Sequence, residues 1–386
     1  MTHSENHEAE ASIGLKAYAI LLCMTGITFI LIQPIIVSAY IDVLGFSNGQ
    51  AARILSANAV AQLMGAFLAS VILERMNIRR VVQVSRAIIL LLEIACMVVE
   101  SPTLLILLRS VIGVLFGILL CVGTALIAGM NNPARIYGAN TLTQVIGAAL
   151  FIALVAWSLP SLGVNGIYGI LAVQAFLCLV FSGVSPRSVA PEDAQPSFVG
   201  AGPVGLIVLV SAIAYFLATN MLWPNLTQIG IVSGLTTEQT GSAFAIGGGF
   251  GLLIACVVLW LGDRIGDLVP ILIGVVTLSI AMHFLKGHSG FWYFMAGSTL
   301  ASTAPLWYQT YVLAALAKID PSGKLGALAA TLIIASVALA PIVAAELIQG
   351  ENYDRMLSVG QGCLLISGVV IILALAIVKP SRKRAV

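Results

Sequence analysis

The stretch LLILLRSVIGVLFGILLCVGTALIAGM, residues 104–130, decides the fold of this chain. Its only charged side chain is Arg109. A helix of about 20 mostly apolar residues crosses the hydrocarbon core of a bilayer, whereas a barrel strand needs only about 10. The stretch therefore predicts a membrane-spanning helix and argues against both a soluble domain and a β-barrel.

The composition of the whole chain extends this prediction. Of 386 residues, 60% are hydrophobic and only 9% are charged, and the mean hydropathy is +1.06. A soluble domain carries roughly a quarter of its residues as charged side chains. We predict an all-α membrane protein with 12 transmembrane helices, at 15–40, 51–73, 81–99, 104–130, 136–159, 164–184, 203–229, 239–261, 268–285, 291–317, 325–348 and 356–378.

Several other classes of protein are disfavoured. The net charge of +2 is too small and dispersed for nucleic-acid binding, and the six cysteines and four histidines form no metal-ligand pattern. We therefore expect no metal and no cofactor. An enzyme would need a nucleophile and base or a metal motif, and no H-E-x-x-H or G-x-S-x-G occurs. The first apolar run is too long for a cleaved signal peptide.

A polar segment, SPRSVAPEDAQPS at 185–197, divides the chain into six spans and six spans. The predicted organisation is a cytoplasmic tail, an N-terminal six-helix bundle, a cytoplasmic linker, a C-terminal six-helix bundle and a basic cytoplasmic tail. Their ranges are 1–14, 15–184, 185–202, 203–378 and 379–386. With the N-terminus inside, fourteen of the 18 Lys and Arg residues fall on the inner side. This bias predicts that both termini are cytoplasmic.

The two halves look like an internal repeat. Pro34 late in the first span and Pro224 late in the seventh are 190 residues apart, and Gln50 and Gln239 open the second and eighth spans. Both of these spans carry small residues at every fourth position: Ala57, Ala61, Gly65 and Ala69 in one, and Ala243, Gly247, Gly251 and Ala255 in the other. The pattern predicts two pseudo-symmetric bundles with closely approaching helices. A non-transporting receptor or scaffold would not require such halves.

A short charged motif follows the second span of each half. The second copy reads GDRIG at 262–266, and the first, ERMNIRR at 74–80, has Asn77 where the second has a glycine. Asn tolerates a left-handed turn better than most residues. An acid at a helix end, a tight turn and basic residues can pair with a neighbouring helix and hold one side closed. We predict gate roles for Glu74, Arg75, Asp263 and Arg264, the alternative being ordinary charged anchors at the interface.

With twelve spans, two halves and this repeated motif, the chain resembles the major facilitator superfamily over nearly its whole length. The resemblance implies a secondary transporter that works by alternating access, in the inner membrane of a bacterium, as a monomer. The family's Arg-x-x-x-Gly pattern in the fourth span is matched by Arg109 to Gly113. The Gly-Pro motif of the family's antiporters is absent around Gly147 in the fifth span, which disfavours a drug/proton antiporter.

Two ionisable residues, Glu93 and Arg109, lie deep within spans and at about the same predicted depth. Such groups are costly in a bilayer unless they face protein or water. If they pair, protonation of Glu93 would release Arg109 and couple protons to transport. If Arg109 instead faces the cavity, as the resemblance implies, it would bind an anionic substrate. A static structural pair is the third possibility.

The family also implies cavity positions at mid-depth, namely Gln33, Asn220, Trp223, Thr303, Trp307, Tyr308 and Tyr311, and we add Gln144. Each could equally be a packing residue. Nothing in the tenth span corresponds to Arg109, so the predicted cavity carries a positive charge on one side only. We therefore predict a small organic anion, possibly aromatic, as the substrate and protons as the coupling ion. The alternative is a proton-antiporting exporter of lipophilic drugs or metabolites.

Overall fold

A computed structural model describes residues 13–72, 77–128, 130, 133–184, 202–262, 264–287, 290–319 and 324–378. In this part of the chain the secondary structure is almost entirely helical, because helices satisfy their own backbone hydrogen bonds within a bilayer. The α-helices are α1 (Ile13–Leu31), α2 (Gln33–Asp42), α3 (Asn48–Ile72), α4 (Ile78–Cys96), α5 (Pro102–Ala128), α6 (Pro133–Leu162), α7 (Val164–Val180), α8 (Pro203–Leu222), α9 (Leu226–Val232), α10 (Thr237–Leu261), α11 (Leu268–Leu285), α12 (Phe291–Ile319), α13 (Lys324–Leu347) and α14 (Asp354–Val378).

Two of the predicted spans are each broken into two helices near a proline. α1 and α2 are separated at Ile32, with Pro34 in the first turn of α2, and α8 and α9 are separated by a 3-10 turn that contains Pro224. Proline lacks a backbone N–H and clashes with the preceding turn. Counted as pairs, these helices leave twelve helical segments in the described residues, and the breaks occur at corresponding places in the two halves.

Nine of the twelve segments are long and apolar enough to cross a membrane by length and composition alone. The other three are α4, α12 and α13. α4 carries Arg79, Arg80, Arg86 and Glu93, α12 is rich in hydroxyl and aromatic residues, and the described apolar part of α13 is the shorter Thr331–Leu347. Large apolar side chains cover much of the outer surface, including Phe67, Trp157 and Leu365, all more than 70% exposed. The chain is thus a multi-pass membrane protein.

Helix contacts repeat between the halves. α5 packs on α1 and α3, and in the second half α12 packs on α8 and α10. The halves meet where α3 crosses α13 and where α6 crosses α10. Gly65 and Gly117 bring α3 and α5 together so closely that a methyl group added at either would lie 2.0 Å from a carbonyl oxygen of the other helix. Gly65, one of the small residues of the second span, therefore allows α3 to approach α5 closely, as the sequence predicts.

The helix starts refine the predicted boundaries. α4 begins at Ile78, three residues earlier than predicted, because the side chain of Asn77 caps it by accepting a hydrogen bond from the backbone N–H of Arg80 at 3.2 Å. Asn77 is extended (φ −75°) and does not adopt the left-handed turn that its position suggested. Gly262 (φ 47°) and Gly266 (φ 68°) do adopt positive φ, so glycine is required in the second copy of the motif.

We call the membrane face at which α1 begins and α14 ends the terminal face, and the other the opposite face. α2 and α9 both end at the opposite face, where they contact each other across the two halves. The predicted tails and linker lie almost wholly outside the described residues.

Candidate functional site

A cavity of about 520 Å³ lies between the two halves. Its walls come from α1 and α6 in the first half and from α8, the following 3-10 turn, α10 and α12 in the second. The lining residues are Leu31, Gln144, Val145, Ala148, Ala149, Ile152, Thr219, Asn220, Trp223, Phe244, Gly247, Gly248, Gly251, Ala301, Ser302, Pro305, Leu306, Gln309, Thr310 and Leu313. All of these are uncharged, and most are apolar. The described wall can therefore receive an apolar or aromatic body and hydrogen-bond a few polar groups.

Two of the lining side chains are held in place by hydrogen bonds. Asn220 donates from Nδ2 to Oγ of Ser336 in α13 at 2.9 Å, which leaves its amide oxygen available. Trp223 donates from Nε1 to the carbonyl oxygen of Ile30 at 3.1 Å, across the interface between the halves. The Trp223 ring lies 6.4 Å from that of Phe244. These contacts present one aromatic surface and one amide at the blind end of the cavity.

The cavity is closed toward the opposite face by α2 and α9. Gln228 donates from Nε2 to Oδ2 of Asp42 at 2.9 Å and to Oγ of Ser38 at 3.3 Å, and Ser38 itself donates to Asp42 at 2.7 Å. A void of about 10 Å³ lies where α2 meets α3 and α13, and it is lined by residues such as Val37 and Pro224. A void of that size holds at most one water molecule, so a solute cannot pass there in this conformation.

Toward the terminal face the cavity is open. Its lining continues along α12 past Gln309 and Thr310, both exposed, to Leu313. α12 ends only six residues later, at Ile319. The structure is therefore accessible from the terminal face and sealed from the opposite face.

Arg109 and Glu93 form a bidentate ion pair inside the first half. Nη1 of Arg109 lies 3.1 Å from Oε1 of Glu93, and Nη2 lies 2.5 Å from Oε2. Both side chains are 0% exposed. The structure thus brings together the two residues whose predicted depths matched. Two parallel charge-assisted hydrogen bonds compensate the burial of both charges.

The surroundings of this pair are aromatic. The guanidinium carbon of Arg109 lies 4.6 Å from the ring centre of Phe29 and 4.9 Å from that of Tyr168. The hydroxyl of Tyr168 donates to that of Tyr40 at 3.0 Å. Arg109 does not line the central cavity, and its Nε has no acceptor among the described residues.

A second buried cation, Arg86, was not among the predicted site residues. Arg86 is one of the fourteen basic residues that the sequence assigns to the inner side, yet it is only 1% exposed. Its Nη2 donates to the hydroxyl of Thr25, its Nε has no acceptor, and no carboxylate pairs with it in the part of the chain that the structure describes. The signal was present in the sequence: Arg86 precedes Glu93 by seven residues, which places both on one helical face.

The other predicted substrate residues occupy different places. Gln144, Asn220 and Trp223 are brought together in the cavity wall. Gln33 is buried at the start of α2 and is not part of that wall. Tyr308 lies in the core of the second half, stacked on Tyr215 at 3.6 Å and hydrogen-bonded to Ser211 and Ser367.

Three further aromatic or hydroxyl positions lie outside the wall in the same way. Trp307 is half-buried, Thr303 is buried, and Tyr311 donates to the carbonyl oxygen of Gly262 at 2.9 Å. The residues of α12 that line the cavity are instead Ala301, Ser302, Pro305, Leu306, Gln309, Thr310 and Leu313.

Most of the predicted gate residues cannot be compared with the structure. Glu74, Arg75 and Asp263 lie outside the described residues. Arg264 is exposed, and its guanidinium lies 5.1 Å from the ring centre of Trp260. No cluster of three or more His, Cys, Asp or Glu side chains with metal-binding geometry occurs within the described ranges.

The chain belongs to the major facilitator superfamily. The model of that family matches residues 18–281. Membership of this family makes the protein a transporter and not an enzyme. No curated protein matches the sequence.

Three solved structures illustrate the similarity. A mutant of the nucleoside transporter NupG has a TM-score of 0.72 at 15% identity, covering 94% of this chain and 98% of its own. A bacterial homologue of the human drug peptide transporters PepT1 and PepT2 has a TM-score of 0.71 at 13% identity, covering 96% and 98%. A structure described for proton dependent oligopeptide transporters gives 0.72 at 14% identity, covering 96% and 99%. At these identities the likeness concerns the fold.

Proposed function

We propose that this transporter moves a small, predominantly lipophilic organic solute, without a net negative charge, through the central cavity by alternating access. The observation that carries the proposal is the wall of the cavity, in which every described residue is uncharged. Trp223 and Phe244 offer aromatic surface to a flat or apolar body, and Gln144 and Asn220 offer amides to its polar groups. Of the two substrate classes predicted from sequence, this lining favours lipophilic drugs or metabolites.

An organic anion is the second candidate. It is supported by Nε of Arg109, the nitrogen atom of that guanidinium that has no acceptor among the described residues. For an anion to use it, the pair would have to open and Arg109 would have to reach the cavity, which in this conformation it does not line. The two candidates thus differ in whether binding requires Arg109.

Proton coupling through Glu93 is part of the proposal. Glu93 is the only fully buried carboxyl among the described residues, and its partner is a permanent cation. Protonation would break the pair and leave Arg109 uncompensated, so it would favour any conformation in which that guanidinium finds another partner. Two of the structural neighbours concern peptide transporters, one of them proton dependent oligopeptide transporters, which supports testing this ion first.

Orientation follows from the distribution of basic residues. We propose that the terminal face is cytoplasmic, which makes this conformation inward-open, and that the protein works as a monomer in an inner membrane. Membrane lipids are then further partners.

The test uses purified protein in proteoliposomes and a matched set of aromatic compounds that share one body and differ in carrying a hydroxyl, an amine or a carboxylate. We expect the alcohol and the amine to drive exchange and the carboxylate not to. Exchange restricted to the carboxylate, together with its loss in Arg109→Ala, would establish the anion candidate instead.

Proton coupling is tested in the same proteoliposomes with a pH gradient. Glu93→Gln should abolish accumulation of the solute driven by the gradient but keep exchange. Unchanged accumulation would rule out Glu93 as the proton site.

A further inference from the structure

A second cavity opens on the side of the molecule, between α6 and α10. Its volume is about 460 Å³. A methyl group added at Gly241 would lie 3.7 Å from Cβ of Ala156, and one added at Gly248 would lie 3.3 Å from Cβ of Ala149. These two contacts are seven residues apart on both helices, so α6 and α10 run antiparallel with small residues facing for two turns. We call the space beside this contact line, toward the opposite face, the lateral groove.

The lateral groove and the central cavity share part of their lining. Ala149, Ile152 and Phe244 contribute to both. The equivalent crossing of the two halves, between α3 and α13, is packed shut, with Ala59 and Val337 at most 5% exposed. Of these two crossings, the one between α6 and α10 therefore places an open groove against a wall that it shares with the central cavity.

The chemistry of the groove is that of an amphipathic ligand site. Its floor is apolar, and Trp157, 79% exposed, stands at its edge. Glu238 is the one charged residue among the described lining residues, and Thr237 and Ser242 lie beside it. Glu238 lies in the first turn of α10, where its negative charge stabilises the N-terminus of the helix. The carboxylate is nevertheless exposed at the edge of the lateral groove and can contact a ligand.

We propose that the lateral groove binds lipophilic amines dissolved in the membrane and passes them to the central cavity. The ammonium group lies at the carboxylate of Glu238, where Trp157 adds an aromatic face within the same groove, and the apolar body lies along Ala153 and Ala156. The proposal rests on the proposed function, because it takes the central cavity as the transport route. It adds the ligand class and a route of access from the bilayer.

The first test asks what the groove binds. Protein in liposomes is irradiated with a photoreactive diazirine derivative of dodecylamine, or with the matching diazirine dodecanol, and the labelled peptides are mapped by mass spectrometry. We expect the amine to label residues 149–160 and 237–245 more than the alcohol does, and Glu238→Gln to lower the amine label about threefold to fivefold while leaving the alcohol label unchanged. Equal labelling by both compounds, or none in these segments, overturns the proposal.

The second test asks whether the groove leads to the cavity. Ala153 is exposed and lines only the groove, so Ala153→Trp should obstruct it, and Leu154→Trp is the matched control because Leu154 is exposed but outside the lining. Amine labelling of residues 301–313 should fall severalfold in Ala153→Trp and persist in Leu154→Trp. Persistence in both overturns lateral passage. A short water-soluble diazirine alcohol should label 301–313 in all three proteins; if it fails to do so in the unsubstituted protein, the central cavity itself, and hence the proposed function, is refuted.

Discussion

Gln228 and Ser38, which are 190 residues apart and so separated by the repeat spacing, donate and accept a hydrogen bond at 3.3 Å across the two halves. Equivalent positions of the repeat thus meet each other, as they must on a pseudo-two-fold axis. Asp42 accepts from both of them. This cluster joins α2 to α9 on the sealed face, where the structure is closed to solutes.

Replacing Gln228 with Leu should loosen that face. The substitution removes two hydrogen bonds, one of them to a carboxylate. We expect the fraction of molecules that are open at the opposite face to rise about tenfold. The reporter is Val37→Cys, 3% exposed beneath the cluster, in a Cys256→Ser background, alkylated by a membrane-impermeant reagent. Gln361→Leu removes a hydrogen bond within the second half and serves as control. Equal alkylation of all variants would show that the cluster does not hold the face closed.

The ion pair of the first half should be sensitive to the loss of one partner. Glu93→Leu leaves Arg109 buried without a counter-charge and should cost about 3 to 5 kcal/mol of stability. The double variant Glu93→Leu with Arg109→Met should recover most of that loss, because it buries no charge. Thermal unfolding in detergent measures both. A double variant no more stable than the single one would mean that the pair does not compensate its own burial.

Arg86 should behave in the opposite way. It is buried with a single hydroxyl partner, so its charge is poorly compensated, and Arg86→Met should leave the melting temperature unchanged or raise it by a few degrees. The same unfolding assay applies, with Arg109→Met as the comparison of identical chemistry. A large loss of stability in Arg86→Met would reveal a counter-charge for Arg86 outside the described residues.

The sequence predicts the fold well because hydropathy alone determines which segments are buried in lipid. It predicts the site only partly. The depth of a residue in the membrane can be predicted from the sequence, but the direction in which its side chain faces around the helix axis cannot. Tyr308 and Gln309 are neighbours at the same depth; Tyr308 stacks on Tyr215 in the bundle core while Gln309 lines the cavity. From one residue of a helix to the next, the side-chain direction rotates by about 100°. The contact of Ser38 with Gln228 could be predicted from the repeat spacing of 190 residues, but only if that spacing is combined with the two helix breaks near Pro34 and Pro224.

Asn220 should determine the preference for a polar group on the solute. Asn220→Leu removes the amide from the cavity wall and also the hydrogen bond to Ser336, and we expect about tenfold weaker binding of the aromatic alcohol with little change for an unsubstituted aromatic body. Gln33→Leu is the control, since Gln33 is buried outside the wall. Binding is measured by ligand-induced thermal stabilisation. If Gln33→Leu weakens binding as much, the effect is on folding or on another conformation.

The contact between α3 and α5 gives the sharpest test of the packing. A methyl group at Gly117 would lie 2.0 Å from the carbonyl oxygen of Gln62 and 2.6 Å from the backbone nitrogen of Ala66, and backbone atoms cannot move aside without separating the helices. Gly117→Ala should therefore destabilise the first half by about 1 to 3 kcal/mol or more, whereas Gly249→Ala in α10, with no atom within 4 Å of the new methyl, should be neutral or slightly stabilising. Both variants make the same chemical change in a helix, so a helix propensity effect would move them together. Thermal unfolding that shows equal shifts would mean that α3 and α5 do not approach as closely as the structure has them.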